Sequence, residues 1–194
     1  GDHGLLSQQF EGYESRPQQV EMAQTIAETL NIGDNLIVEA GTGTGKSMAY
    51  LVPAAQWSRQ RGERVVISTN TINLQDQLIS KDIPALQAIL AKHDDGLEPL
   101  RAVQLKGRSN YLCLKRYDEV RQRKDHTDDE IRALVKVQLW IPSTQTCDRA
   151  ELMLIQNEAN AWNSMNVNPD LCARQRCPLY DQCFYYKARA EAEN

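Results

Sequence analysis

One stretch constrains this chain more than any other: Ala40-Gly41-Thr42-Gly43-Thr44-Gly45-Lys46-Ser47. The run Leu36-Ile37-Val38-Glu39-Ala40 leads into it and reads as a buried strand, and a helical run beginning near Lys46 leads out. Strand, glycine-rich loop and helix are the context in which such a run binds phosphate. The glycines let the backbone curl so that successive N–H groups point inward. The helix N-terminus behind them adds orphan N–H groups and partial positive charge. Lys46 is placed to reach β- and γ-phosphates, and the Ser47 hydroxyl to ligate Mg²⁺. The strict pattern begins with Gly where this chain has Ala40, a residue small enough for the loop to close. The plain alternative is a glycine-rich turn followed by a chance Lys-Ser, and the flanking strand and helix argue against it.

A chain of 194 residues is long enough for one α/β domain with a sizeable core and an inserted subdomain. Its hydrophobic content of 41% and charged content of 25% are ordinary for a globular protein. No run approaches the length of a membrane span, and the N-terminus lacks a basic-then-apolar signal, so a cytoplasmic location is expected. A net charge of −4 excludes nucleic-acid binding by bulk charge alone. The charge is uneven: residues 1–100 carry 7 Lys+Arg against 13 Asp+Glu, and residues 101–194 carry 15 against 13. Arg101, Lys106, Arg108, Lys115, Arg116, Arg121, Arg123 and Lys124 form a local basic run. It is either a phosphate-backbone contact or a solvated helix face.

In chain order, Leu5, Leu6 and Phe10 suggest at most a packing arm. Ser15 reads as a helix N-cap with Pro17 in the first turn, and Gly33 ends that helix. Gln19 on it can offer a donor and an acceptor to an adenine edge, although a surface role is the simpler reading. Met48 to Trp57 reads as a buried helix kinked or broken at Pro53. Residues 64–69 form a second strand, in a right-handed parallel crossover from the first. At its end lie Thr69, Asn70 and Thr71, then a helix containing Gln75; short polar groups at that edge suit a sugar–phosphate backbone or a helix cap. Pro84 is expected to separate this helix from another running from Ala85 to Ala91, with His93-Asp94-Asp95-Gly96 as a loop. Residues 100–105 form a third strand candidate. Gly107 to Cys113 opens a basic helix. A Thr127-x-x-Glu130 capping box starts a helix with Ile131, Leu134, Val135, Gln138 and Leu139 on one side, and another runs from about Asp148 to Trp162.

Five cysteines remain: Cys113, Cys147, Cys172, Cys177 and Cys183. The last three are closely spaced, which in a reducing compartment points first to a metal site. Cys113 and Cys147 are both candidates for the fourth ligand, while His3, His93 and His126 are at no ligand spacing. The gaps suit paired zinc knuckles less well than an all-cysteine iron–sulfur site, and spacing alone leaves both open.

Together these residues resemble the iron–sulfur superfamily 2 helicases of the DinG/XPD type, the bacterial DinG-like branch above all. Arg16-x-x-Gln19-x-x-Met22 is similar to the adenine-reading motif, Glu39 to Ser47 to motif I, and Ser68 to Thr71 with Leu74-Gln75-x-Gln77-Leu78 to motif Ia. Gly107-Arg-x-Asn-Tyr-Leu-Cys113 resembles the first cluster-ligand segment, and Cys172, Cys177 and Cys183 the other three. The likeness covers about residues 13–190, and Ala40 fits it, since this motif I begins with Ala. It implies the first part of a RecA-like ATP-binding lobe over residues 1–106, with a parallel sheet and flanking helices. A mainly helical, cysteine-rich insertion is implied over 107–190. ATP is then held by Arg16, Gln19, Ala40, Gly41, Thr42, Gly43, Thr44, Gly45, Lys46 and Ser47, with Mg²⁺ on Ser47. A [4Fe–4S] cluster is implied on Cys113, Cys172, Cys177 and Cys183, without Cys147. DNA contacts are implied at Thr69, Asn70, Thr71 and Gln75. The implied activity is ATP-driven 5′→3′ translocation on single-stranded DNA and unwinding at duplex junctions, in DNA repair, with no oligomer required. Tyr111, Phe184, Tyr185 and Tyr186 either stack bases or pack the insertion's core.

No Asp-Glu-x-His motif, Walker-B acidic pair, arginine finger or second lobe is present in these residues. The resemblance therefore implies an N-terminal piece that does not unwind DNA alone. Two other classes compete. A P-loop NTPase with a structural zinc knuckle needs its own acidic Mg²⁺ ligand, and Glu39, before the loop, does not supply it. A non-catalytic, redox-sensitive nucleic-acid-binding module predicts ATP-independent, steeply salt-dependent DNA binding.

Overall fold

The computed structural model of the chain describes residue 14, residues 16–92 and residues 96–193. The expected arm at Leu5, Leu6 and Phe10, the cap at Ser15 and most of the loop at 93–96 lie outside them. The chain divides into two compact units, Gly1–Ala102 and Val103–Asn194.

In the first unit, α1 (Pro17–Ile32) begins with Pro17, whose missing N–H would have been an orphan there. Arg16 occupies the N-cap position, and Gly33, at φ 74°, ends the helix by giving its N–H to the Thr29 carbonyl. Helix α2 (Lys46–Arg61) runs through Pro53 without ending, so of the expected kink or break the break is excluded. Proline removes one helix hydrogen bond. Here it lies on the buried face with Ala49, Leu51, Ala54 and Ala55, where packing offsets that loss. Thr71 caps α3 (Ile72–Gln77) by accepting the Leu74 N–H at 3.2 Å. Pro84 does not separate the next helix either. A π turn, Leu78–Asp82, joins α3 to α4 (Ile83–Ala91), and Pro84 falls just after it at the start of α4. Leu51, Ala55, Leu78, Leu86 and Leu90 form this unit's core.

The expected parallel sheet is not formed: among the described residues there is no β-strand, only two isolated bridges. The runs 36–40, 64–69 and 100–105 are non-helical, and much of their apolar surface faces outward; Ile37 is 99% exposed and Val66 83%. Strand formation is a property of pairing, and these runs meet no ladder partner among the described residues. Their sequence carries the strand pattern without the pairing.

The second unit is helical. Cys113 is the N-cap residue of α5 (Leu114–Arg121). Helix α6 (Asp128–Trp140) carries the expected capping box: Thr127 accepts the Glu130 N–H at 3.2 Å, and Glu130 accepts the Thr127 N–H at 2.9 Å. That amide and the Arg123 guanidinium hold the Glu130 carboxyl below its ordinary range. The buried face of α6 is Ala133 and Val137, not the side expected; Ile131, Val135 and Leu139 are exposed. The apolar residues of α6 surround more of the helix than one stripe, so periodicity alone did not fix which side faces the core. The segment expected to be helical from Asp148 resolves into a short 3₁₀ turn, Arg149–Glu151, followed later by α7 (Gln156–Met165). Helix α8 (Phe184–Glu193) closes the unit.

Trp162 on α7 is fully enclosed, with its indole N–H donating to the Ser109 carbonyl at 2.8 Å and its ring meeting Trp140 edge-on at 6.4 Å. Lys106 is buried and pairs with Asp148 at 2.5 Å, while the Tyr111 hydroxyl accepts the Lys106 N–H at 3.0 Å. Antiparallel bridges Tyr111–Asp148 and Leu112–Asn166 tie these segments together. Trp162→Ala should remove about 3–5 kcal/mol of stability from this unit, read as a lower midpoint in urea denaturation followed by circular dichroism.

Candidate functional site

The loop between residue 40 and α2 is built by two left-handed residues. Gly43 and Gly45 both have φ 81°, a conformation that disfavours a Cβ. Gly45 is the N-cap residue of α2, so the loop turns straight into the helix and aims its first N–H groups back at the concavity. The Thr44 hydroxyl donates to the Gly41 carbonyl at 2.7 Å, tightening the curl. Lys46 reaches back across the loop and donates to the Ala40 and Gly41 carbonyls, each at 2.8 Å. An ammonium has three donors, and two of these contacts hold its charge at the loop's mouth.

Helix α1 supplies two further contacts. The Arg16 guanidinium donates to the Gly43 carbonyl. The Gln19 amide donates to the Gly45 carbonyl at 2.9 Å, and a Cβ at position 45 would land on that amide. Beside it, α1 and α2 line a cleft of about 250 Å³ with Gln19, Val20, Ala23, Met48, Val52 and Gln56 among its walls. Arg16, Gln19 and the loop, far apart in sequence, therefore meet at one place, while Thr42 stands exposed at the tip. Ser47 lies in the first turn of α2. Burial pushes the pKa of the Tyr50 phenol up.

At the start of α3, the Thr69 hydroxyl donates to the Thr71 carbonyl at 3.1 Å, and Thr71 serves as the helix cap. Asn70 is exposed between them, and Gln75 lies one turn into the helix. The polar residues expected at a strand end thus form a capped helix start.

In the second unit the basic run is largely engaged internally. Lys106 is paired with Asp148, Lys115 with Glu119, Arg121 with Asp118 and Arg123 with Glu130. Arg116 donates to the Asn166 and Asn163 carbonyls at 2.5 and 3.0 Å, clamping the end of α7. Arg108 lies over the Tyr185 ring at 5.1 Å and donates to its hydroxyl at 3.2 Å. Tyr111 and Tyr185 are buried and meet edge-on at 5.6 Å, with Phe184 and Tyr186 packed against them, so these rings form core.

All five cysteines are free thiols. Cys147 sits fully buried in the core with Leu112, Val137 and Trp162. Burial and then Glu151 push its pKa up to about 12. Cys113 and Cys183 both pack against the Tyr111–Val167–Tyr185 cluster. Burial raises the pKa of each first; Cys183 and Cys177 add to the rise at Cys113, and Cys172 and Cys177 to that at Cys183. Among the described residues no three His, Cys, Asp or Glu side chains stand close enough to hold a metal ion as placed. The four remaining thiols are, by type, the donor chemistry of an iron–sulfur cluster.

Residues 16–97 match the DEAD/DEAH box helicase family, a class whose nucleotide site is a phosphate-binding loop of this kind. The chain is 37% identical over 193 residues to the ATP-dependent DNA helicase YoaA of Haemophilus influenzae, covering 99% of this chain and 29% of that protein. It is 35% identical over 191 residues to the ATP-dependent helicase DinG of Mycobacterium tuberculosis, covering 90% of this chain and 28% of the relative. It is 32% identical over 176 residues to the 3'-5' exonuclease DinG of Bacillus subtilis, covering 91% of this chain and 18% of the relative. The chain belongs to the DEAD/DEAH box helicases, in their DinG-like group. It spans under a third of the length of these curated relatives.

Two outcomes follow from this geometry. Gly45→Ala forces a side chain into a left-handed conformation and onto Gln19, and should cost about 1–2 kcal/mol. Gly41→Ala meets nothing within 4 Å and should stay within about 0.5 kcal/mol; paired urea denaturation curves compare them. In metal-free protein at pH 8, mass spectrometry after iodoacetamide should find Cys172 and Cys177 alkylated and Cys147 unmodified, because a buried thiol is neither ionised nor reachable.

Proposed function

We propose that this chain is the nucleotide-binding and cluster-bearing part of a cytoplasmic, ATP-dependent DNA helicase that moves 5′→3′ on single-stranded DNA and opens duplex junctions. The observation that carries the reading is Lys46, whose ammonium is held at the mouth of a loop shaped by the left-handed Gly43 and Gly45. Nucleotide phosphates are acceptors with more charge than two carbonyls. On binding, Lys46 turns from Ala40 and Gly41 to the β- and γ-phosphates, and the N–H groups at the start of α2 complete the cradle. The Gln19 carboxamide keeps a second N–H and a carbonyl for an adenine edge. The Ser47 hydroxyl is a hard oxygen donor suited to Mg²⁺, which shields phosphate charge. Thr69, Asn70, Thr71 and Gln75 at the start of α3 are the proposed contacts to the DNA backbone.

Cys113, Cys172, Cys177 and Cys183 are the proposed ligands of a [4Fe–4S] cluster. When bound, the cluster supplies a covalent cross-link between the start of α5, the 172–177 segment and the start of α8. The packing of Cys113 and Cys183 against one core cluster, and of Cys147 into another, supports that set.

Anaerobically purified chain should contain about four iron and four acid-labile sulfide per molecule, and Cys113→Ser should lose most of both while Cys147→Ser keeps them. Stoichiometric zinc in colourless protein would overturn the cluster assignment. Titration with a fluorescent ATP analogue should show binding that Lys46→Ala weakens by about 10-fold or more, as loss of a charge-assisted contact requires; equal affinity in the variant would overturn the nucleotide site.

A further inference from the structure

The two left-handed residues of the phosphate loop are also the two that α1 grips. Gly43 and Gly45 each stand at φ 81°. The Arg16 guanidinium donates to the Gly43 carbonyl, and the Gln19 carboxamide donates to the Gly45 carbonyl at 2.9 Å. Arg16 and Gln19 are three residues apart in the first turn of α1, so they share a face. That turn anchors them: the Arg16 carbonyl accepts the Gln19 N–H at 3.0 Å and the Val20 N–H at 3.2 Å, and Pro17 stiffens the backbone between them. The remaining loop carbonyls are held from within the loop, Gly41 by the Thr44 hydroxyl and by Lys46, and Ala40 by Lys46.

A trans peptide unit is planar, so the carbonyl of one residue and the N–H of the next point in opposite directions. A donor on the Gly43 oxygen therefore sets the direction of the Thr44 N–H. A donor on the Gly45 oxygen sets that of the Lys46 N–H. Glycine leaves the backbone its widest freedom to turn, and the units that follow these two glycines are the ones α1 holds. We propose that Arg16 and Gln19 are positioning residues for the loop. They keep the Gly43 and Gly45 carbonyls turned toward α1, which leaves the Thr44 and Lys46 N–H groups directed at the phosphates before any ligand arrives, a saving in ordering on binding. Arg16 then strengthens the hold on the phosphate chain and takes no part in the choice of base, in place of the adenine contact that the resemblance implies for it. The inference rests on the reading of the loop as a nucleotide site and deepens it.

The test is the affinity of the 194-residue chain for inorganic tripolyphosphate, ATP and GTP, each with Mg²⁺, measured by calorimetry in the wild type and Arg16→Ala. Arg16 is exposed, so the substitution leaves the core untouched. The expected result is a loss of about fivefold for all three ligands, the size of one lost hydrogen bond, with the ATP-to-GTP ratio within about twofold of wild type. In ligand-free, ¹⁵N-labelled chain the heteronuclear NOE of the Thr44 amide should fall, because a released loop gains fast motion. An unchanged tripolyphosphate affinity in the variant overturns the proposal; if ATP affinity alone falls, Arg16 reads the base. A larger shift in the ATP-to-GTP ratio overturns it as well. So does a loss for all three ligands with an unchanged Thr44 NOE, since Arg16 then meets the phosphates directly. Should Arg16→Ala fail to fold, Gln19→Ala decides by tripolyphosphate affinity and the Lys46 amide NOE. A wild type without Lys46-dependent tripolyphosphate binding overturns the nucleotide-site reading, and this inference with it; the other results bear on Arg16 and Gln19 alone.

Discussion

The left-handed turn at Gly45 is the constraint on which the first unit depends. An L-residue with a side chain resists φ 81°, and the Gln19 amide fills the space a Cβ would need. Glycine there lets the chain leave the loop and enter α2 in a single residue. That sharp entry does two things together. It brings Lys46 back over the carbonyls of Ala40 and Gly41, and it brings the Gly45 carbonyl against α1. Helix start, loop curl and the approach of α1 are three consequences of one backbone angle.

The second unit depends on buried polar groups that answer one another. Lys106 and Asp148 would be costly to enclose singly and satisfy one another as an ion pair, while the Tyr111 hydroxyl answers the Lys106 main-chain N–H. Trp162 fills the core and still finds the Ser109 carbonyl for its one donor. Glu158 is buried, and its carboxyl is held below the ordinary range by Lys136 first and then by the Ile155 N–H. Such contacts join segments distant in sequence. The same logic explains why the basic run does not present a free stripe: most of its members are spent on carboxylates, carbonyls and an aromatic face within the unit.

Much of the site was legible in the order of residues. Local devices read well: the capping box at Thr127 and Glu130, Pro17 in the first turn of α1, Gly33 past its end, and the glycine-rich loop leading into α2. Each is decided by residues within a turn of one another, so sequence carries nearly all of its physics. The less local the question, the less the sequence answered. The apolar pattern of α6 pointed to the wrong face, since burial is set by what packs opposite. Pro53 does not end its helix, and Pro84, read as a separator, follows a π turn that carries the helix on.

By itself the sequence determined the glycine-rich loop, the helix caps and the identity of the thiols, because these rest on side-chain chemistry and on backbone angles open only to certain residues. Tertiary structure decided which apolar runs pair, which helix faces are buried, which cysteine stands apart, and which polar side chains meet at the loop. Those outcomes depend on contacts between residues far apart in the chain. Residues 36–40 and 64–69 show the division: their strand character is written in the sequence, while hydrogen-bonded pairing needs a neighbour that no local pattern specifies.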